Sequence, residues 1–204
     1  MITEVCIRQA EPATRMKVDV TFMRMLRAPA GEALRLPEGW TVETNVRPDV
    51  AGYRLLQDKV GRPYCWWMRQ AASDRDLAHL LEQAPISIAV LKHGQAIRGF
   101  YELNLSNPQD INLSYFGLFP EAIGHGVGRA FLDQAVRHAW SLGPLCVRVN
   151  TCTADHPALY RFTGRWGSNL SAQWKKCGMC RTGSVLSFRR NFWSELLRSG
   201  QKCG

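Results

Sequence analysis

The stretch Tyr115-Phe-Gly-Leu-Phe-Pro-Glu-Ala-Ile-Gly-His-Gly-Val-Gly-Arg129 constrains this chain more than any other. It predicts a buried strand, a stop at Pro120, a glycine turn and then the first turn of a long amphipathic helix. A glycine turn at a helix N-terminus leaves backbone N–H groups without intrahelical partners, at the positive end of the helix dipole. That combination suits a phosphate or pyrophosphate. Gly124, Gly126 and Gly128 remove the side chains that would hold an anion at a distance.

From Gly126 to about Leu142, Val127, Phe131, Ala135 and Ala139 share one helical stripe, with Leu132, Val136 and Trp140 beside it. Gly143-Pro144 ends the helix. Leu145 to Thr153 reads as the next strand, with Leu145, Val147 and Val149 on one face. Two familiar phosphate loops are excluded by their residues. Gly126-Val-Gly-Arg129 lacks the Lys and hydroxyl that close a Walker loop. The strand after the helix ends in Asn150-Thr-Cys-Thr153, without the acidic residue of a dinucleotide fingerprint.

Leu118-Phe-Pro-Glu-Ala-Ile-Gly-His-Gly-Val-Gly128 instead resembles the signature of the GNAT superfamily of acyl-CoA N-acyltransferases: an apolar strand, Pro, a short spacer, Gln/Arg-x-x-Gly-x-Gly/Ala, and a helix. Ile123 stands in the Gln/Arg place, which removes a side chain but no backbone donor. Thr151-Cys-Thr-Ala-Asp-His-Pro-Ala158 resembles the segment where such proteins leave the next strand. The similarity runs from about Ile86 to Ala158.

The resemblance implies acetyl-CoA as co-substrate and direct attack by a primary amine, of a small molecule or an exposed amino group, in a ternary complex. Pantetheine would lie against Gly117, Leu118 and Phe119, paired through main-chain groups. Ile123, Gly124, His125, Gly126, Val127, Gly128 and Arg129 would hold the pyrophosphate. Arg129 is also readable as a solvated helix charge, and His125 as an exposed, incidental residue. Asp155 falls where relatives carry an Asn near the pantetheine arm; a turn-forming Asp is the alternative. No metal is implied. A different acyl donor, or a non-catalytic acyl-CoA-binding remnant, are the competing readings.

Acyl transfer needs alignment, a proton acceptor and a polarised carbonyl. Glu102 is the candidate base. It sits in a mostly apolar strand on one face with Arg98, Phe100 and Asn104, where partial burial raises a carboxyl's pKa. A surface Glu–Arg pair is the other reading. Tyr64, Trp66 and Trp67 line an acceptor pocket or belong to the core.

Upstream, Lys17–Phe22 and Trp40–Thr44 read as strands, and turns are expected at Ala28–Gly31 and Leu36–Gly39. A helix after Pro48-Asp49 runs to about Lys59 and buries Tyr53, Leu55 and Leu56; another runs from a Ser73 cap to about Gln83. Pro85–Leu91 and Gln95–Leu105 form a hairpin, followed by a strand from Asp110. The expected fold class is α/β, a mixed, largely antiparallel sheet with flanking helices.

The formal charge is +9, yet residues 159–204 hold nine of the 26 Lys/Arg and only Glu195 of the 17 Asp/Glu. The body, residues 1–158, is nearly neutral, so neither nucleic acid nor membrane is expected as a partner. Seven cysteines without an export signal suit a reduced cytoplasm. A small-molecule amine and, in a homodimer, a second copy of the chain are the expected partners.

After Ala158 the composition changes: no Ile, no Asp, one Val, and a crowd of Trp, Cys, Lys and Arg. The closing helix and hairpin of a GNAT fold are missing from it. A two-base shift of one permissible coding of Leu159–Leu170 yields Leu-Pro-Val-Tyr-Arg-Lys-Met-Gly-Phe-Glu-Pro, similar to the family's Tyr-x-x-x-Gly-Phe closing motif. A frameshift near Ala158–Leu159 is therefore expected, leaving a disordered tail at 159–204 and an exposed flank on the strand at Leu145–Thr153. A natural basic extension is the alternative.

Overall fold

The computed structural model describes residues 18–64, 66, 68–155 and 175–182. Seven strands, β1 (Val18–Met25), β2 (Trp40–Val46), β3 (Ile86–His93), β4 (Ala96–Asn104), β5 (Asp110–Leu118), β6 (Cys146–Cys152) and β7 (Lys175–Thr182), form one sheet in the order β2-β3-β4-β5-β6-β1-β7. Every neighbouring pair is antiparallel except β5 and β6, which are parallel. Helices α1 (Val50–Gly61), α2 (Met68–Ala71) and α3 (Asp74–Gln83) lie between β2 and β3 in the chain, and α4 (Gly128–Ser141) crosses from β5 to β6.

Local chemistry fixes the helix starts. Asp49 accepts the N–H of Gly52 at 2.7 Å, and Ser73 accepts that of Asp76 at 3.1 Å. The alternating strands then split the apolar residues between two faces. Tyr53, Leu56, Val60 and Leu77 pack with Ile88, Val90, Phe100, Tyr115 and Phe119 on one face. Phe131, Leu132, Ala135, Val136 and Ala139 of α4 pack with Leu91, Tyr101, Leu103, Leu113, Val147 and Val149 on the other. On α4, Asp133 is also buried. It accepts the N–H of Leu34 and pairs with Arg137, tying the 26–39 segment over the helix.

Several expectations need correction. Leu55 is exposed, because the buried stripe of α1 runs through Tyr53, Leu56, Gln57 and Val60, and Leu55, two residues from Tyr53, falls on the opposite side; Gln57 donates to the Tyr53 hydroxyl. Leu145 is 69 % exposed: it precedes β6, held by a hydrogen bond from its N–H to the Gln109 carbonyl. α4 starts at Gly128 rather than Gly126. The expected bare flank of β6 is covered, since β1 pairs with it from Val20↔Cys152 to Met25↔Val147. β1 thereby offers its own free edge, and β7 fills it through main-chain groups that need no apolar pattern. So the 159–204 segment contributes one strand where none was expected. The frameshift and the remainder of that segment lie outside the described residues. Among the described residues, no helix is long and apolar enough to cross a membrane.

The sheet comes apart in one place. β5 and β6 pair only over Asp110–Leu113 with Cys146–Val149. On the other side of β5 the register with β4 passes from Glu102↔Tyr115 to Leu103↔Leu113, leaving Ser114 as the extra residue of a bulge. A bulge bends its strand, and the pairing with β6 ends just where this one sits. Beyond it, Ser114–Leu118 have no partner on β6, whose last residues pair with β1 alone among the described residues.

Two predictions follow from packing and burial. A Cβ on Gly117 would come within 2.1 Å of Val60 Cγ1, so α1 rests directly on this strand. Gly117→Ala is expected to cost on the order of 1–3 kcal/mol, and combining it with Val60→Ala should cost less than the sum, measured by urea denaturation. His138 accepts or donates at Nδ1 to the Tyr101 hydroxyl at 2.8 Å, and burial holds its imidazole below the ordinary 6.5. The unfolded chain then takes up the proton first, so His138 contributes full stability above about pH 6.5 and loses it as pH falls. His138→Gln, which keeps an acceptor for Tyr101 without titrating, should flatten the fall in denaturation midpoint between about pH 7 and pH 5.

Candidate functional site

The glycine turn forms as the sequence implies. After β5, Pro120–Ala122 make a single 3₁₀ turn, and Gly124 and Gly126 take φ of +89° and +72°. A Cβ added to either would meet nothing within 4 Å. These glycines therefore serve backbone shape and openness rather than packing. Val127 is buried and anchors the turn, while Ile123, Gly124, His125, Gly126 and Arg129 are exposed around it. α4 begins with no side-chain cap, which leaves its first N–H groups directed out of the helix end. Gly117, Leu118 and Phe119 lead into the turn, with the Phe119 N–H held by the Arg98 carbonyl at 2.8 Å. The His125 ring lies 5.9 Å from Trp40, which stacks on His93.

Glu102 differs from expectation. It is fully buried rather than partly so, and its partner is Arg69 of α2, not Arg98. Arg69 donates to Oε1 at 3.0 Å, and the Tyr53 hydroxyl donates to Oε2 at 2.5 Å. Because the Tyr53 proton points at the carboxylate, the phenol oxygen must accept from Gln57 Nε2 (3.0 Å), which fixes that amide's orientation. Gln57 Oε1 is left buried without a hydrogen-bond partner among the described residues. The Arg69 guanidinium also sits 5.6 Å from the centre of the Tyr115 ring. Burial pushes the Tyr115 phenol up to about 12, against the opposing pull of Arg69, and burial likewise drives Tyr53 far up. Both phenols are neutral donors across the physiological range.

Asp155 lies across the gap, just past β6. Its Oδ2 accepts from the Cys152 N–H (2.7 Å) and the Thr151 hydroxyl (2.9 Å), the turn-forming role. Its Oδ1 accepts from Trp66 Nε1 at 3.3 Å. Trp66 in turn packs edge-on against Tyr115, 5.1 Å between ring centres, and against Phe100. Trp66 thus bridges the gap from β5 to the end of β6. It is half-buried, part wall and part core, and Tyr64 stands close enough to Asp155 for the carboxylate to raise its phenol, after burial. Trp67 lies outside the described residues.

The site residues fall into two groups around the β5 bulge: the turn residues at its outer end, and Glu102, Arg69, Tyr53, Gln57 and Tyr115 beneath α1 and α2. Sequence reasoning missed Arg69, Tyr53, Gln57 and Ser114. A Glu in an apolar strand demands a cation, but only the fold selects Arg69 from among the arginines. Removing one member of a buried pair strands the other. Glu102→Gln should therefore destabilise by about 3–5 kcal/mol in urea denaturation, whereas Glu102→Leu with Arg69→Met should cost much less.

No protein-family model and no curated protein sequence matches the chain. Solved structures do. A GCN5-related N-acetyltransferase from Sphaerobacter thermophilus superposes with a TM-score of 0.55 at 18 % identity, covering 78 % of this chain and 49 % of that one. One from Kribbella flavida gives 0.51 at 12 %, covering 80 % and 56 %. A conserved protein of unknown function from Staphylococcus epidermidis ATCC 12228 gives 0.51 at 12 %, covering 80 % and 60 %. The chain spans about half to three-fifths of the length of these structures. The fold of this chain is that of the GCN5-related N-acetyltransferases.

Proposed function

We propose that this chain is an acyl-CoA N-acyltransferase domain that moves an acetyl group from acetyl-CoA to a primary amine. One juxtaposition carries the reading. The main chain of Ser114–Leu118, which on its β6 side has no strand partner among the described residues, runs straight into an open glycine turn at the uncapped N-terminus of α4. An extended arm with amides can pair along the first, and a pyrophosphate can settle on the second. Gly117, Leu118 and Phe119 hold the pantetheine arm through main-chain groups. Ile123 to Arg129 surround the phosphates, with Arg129 supplying a positive side chain at the exposed rim.

In the reaction, the neutral amine nitrogen attacks the thioester carbonyl carbon, forming C–N as C–S breaks. The proton shed by nitrogen ends on the departing sulfur, directly or through solvent. Glu102 has both oxygens engaged and no exposed surface. With no exposed surface it is out of reach of an attacking amine, so we assign it to positioning. It holds Arg69 against Tyr115 and thereby the strand on which the thioester would lie.

The test is a calorimetric titration of the full chain with CoA, beside a thiol-release assay with acetyl-CoA and a panel of amines. Gly126→Asp and Gly126→Asn place similar shapes at a positive φ that both residues tolerate. Only the first adds a charge. Asp should weaken CoA binding by about tenfold or more relative to Asn. Equal affinities would move the phosphates away from this turn. CoA binding without thiol release from any amine would leave an acyl-CoA-binding protein that does no chemistry.

A further inference from the structure

The gap between β5 and β6 is closed at its inner end. The two strands pair from Asp110↔Cys146 to Leu113↔Val149, and the bulge at Ser114 follows at once. Ser114–Leu118 amount to about 17 Å of extended strand, close to the reach of an extended pantetheine arm. With its pyrophosphate on the glycine turn, that arm brings the thioester sulfur to the bulge. The acyl chain cannot continue along the strand, where the sheet is paired again. On the α4 face at this level stand Leu113 and Val149, both buried in one cluster with Phe131. The remaining side is the face of α1 and α2, and Trp66 is built into it.

Trp66 is fixed there from several directions. Its ring meets Tyr115 edge-on at 5.1 Å and Phe100 at 6.4 Å between centres. Its indole N–H donates to Asp155 Oδ1 at 3.3 Å, and its main-chain N–H to the Gly61 carbonyl at 3.0 Å. Gly61 leaves no clearance behind it: a Cβ there would come within 2.4 Å of the Trp66 Cβ. An indole held at backbone, rim and edge does not swing aside for a longer chain without breaking these contacts. Tyr115 follows the bulge directly, so the ring it touches stands at the level of the thioester. We propose that Trp66 is the end wall of the acyl pocket and sets the acyl length this chain accepts, admitting acetyl and turning away longer chains. This rests on the acyltransferase reading, and it assigns Trp66 to the acyl donor rather than to the acceptor.

The experiment is calorimetric titration of the full chain with CoA, acetyl-CoA and hexanoyl-CoA. Acetyl-CoA should bind about tenfold tighter than hexanoyl-CoA, or better, because the added methylenes press on a packed ring. Trp66→Ala should bring the two within about threefold of each other or reverse their order, since the longer chain then gains apolar burial. Trp66→Leu keeps apolar bulk beside Gly61 and gives up the outer ring, and it reads the same ratio if the alanine variant does not fold. Equal affinities in the unaltered protein would overturn the inference, as would a preference for acetyl that neither substitution reduces. CoA binding without discrimination between the acyl chains defeats this inference alone. Absence of CoA binding defeats the acyltransferase reading, and this inference with it.

Discussion

A carboxylate with no exposed surface must be met by a cation and hydrogen bonds or it will not stay charged. Glu102 meets that demand by drawing Tyr53 from α1 and Arg69 from α2 onto the same two oxygens. The helices on this face are thus located by a polar requirement as much as by apolar burial. Leu56, Val60 and Leu77 supply the adhesion. They would tolerate small shifts that the ion pair does not. Gly117 then lets α1 settle onto β5 at a distance any side chain would forbid.

With that face pinned, the Ser114 bulge has a defined consequence. β5 is held on its β4 side and turns away from β6, opening main-chain groups along Ser114–Leu118. The opening ends at the glycine turn, so a groove with strand-like pairing leads directly to a helix end with donors to spare. Neither feature alone would define a ligand. Their succession within about fifteen residues is what the proposed acyl-CoA site rests on.

Much of this could be read in the residues. The α4 stripe, the Asp49 and Ser73 caps and the hairpin at Lys92–Gly94 are local patterns with local causes. The failures have a common origin in distance along the chain. Gln57, a polar residue on the buried stripe of α1, is held there by Tyr53, whose hydroxyl answers to Glu102, 49 residues away. Arg69 is chosen over Arg98 by the placement of α2, 33 residues from its partner. Alternation in β1 shows that it is a strand and nothing about which strand it joins. The bulge at Ser114 is invisible for the same reason, since it exists only in register against β4.

The position of β1 has a consequence for how such a chain reaches its native state. Residues near the N-terminus supply the neighbour of β6, so Val20 waits for Cys152 and Met25 for Val147. Loop closure over so long a separation is slow compared with forming the β3–β4 hairpin or α4. During synthesis the hairpins and helices can assemble first, while β1 stays unpaired until nearly the whole described domain has been made. The place between β6 and β7 is thus filled last, by the strand that comes first among the described residues.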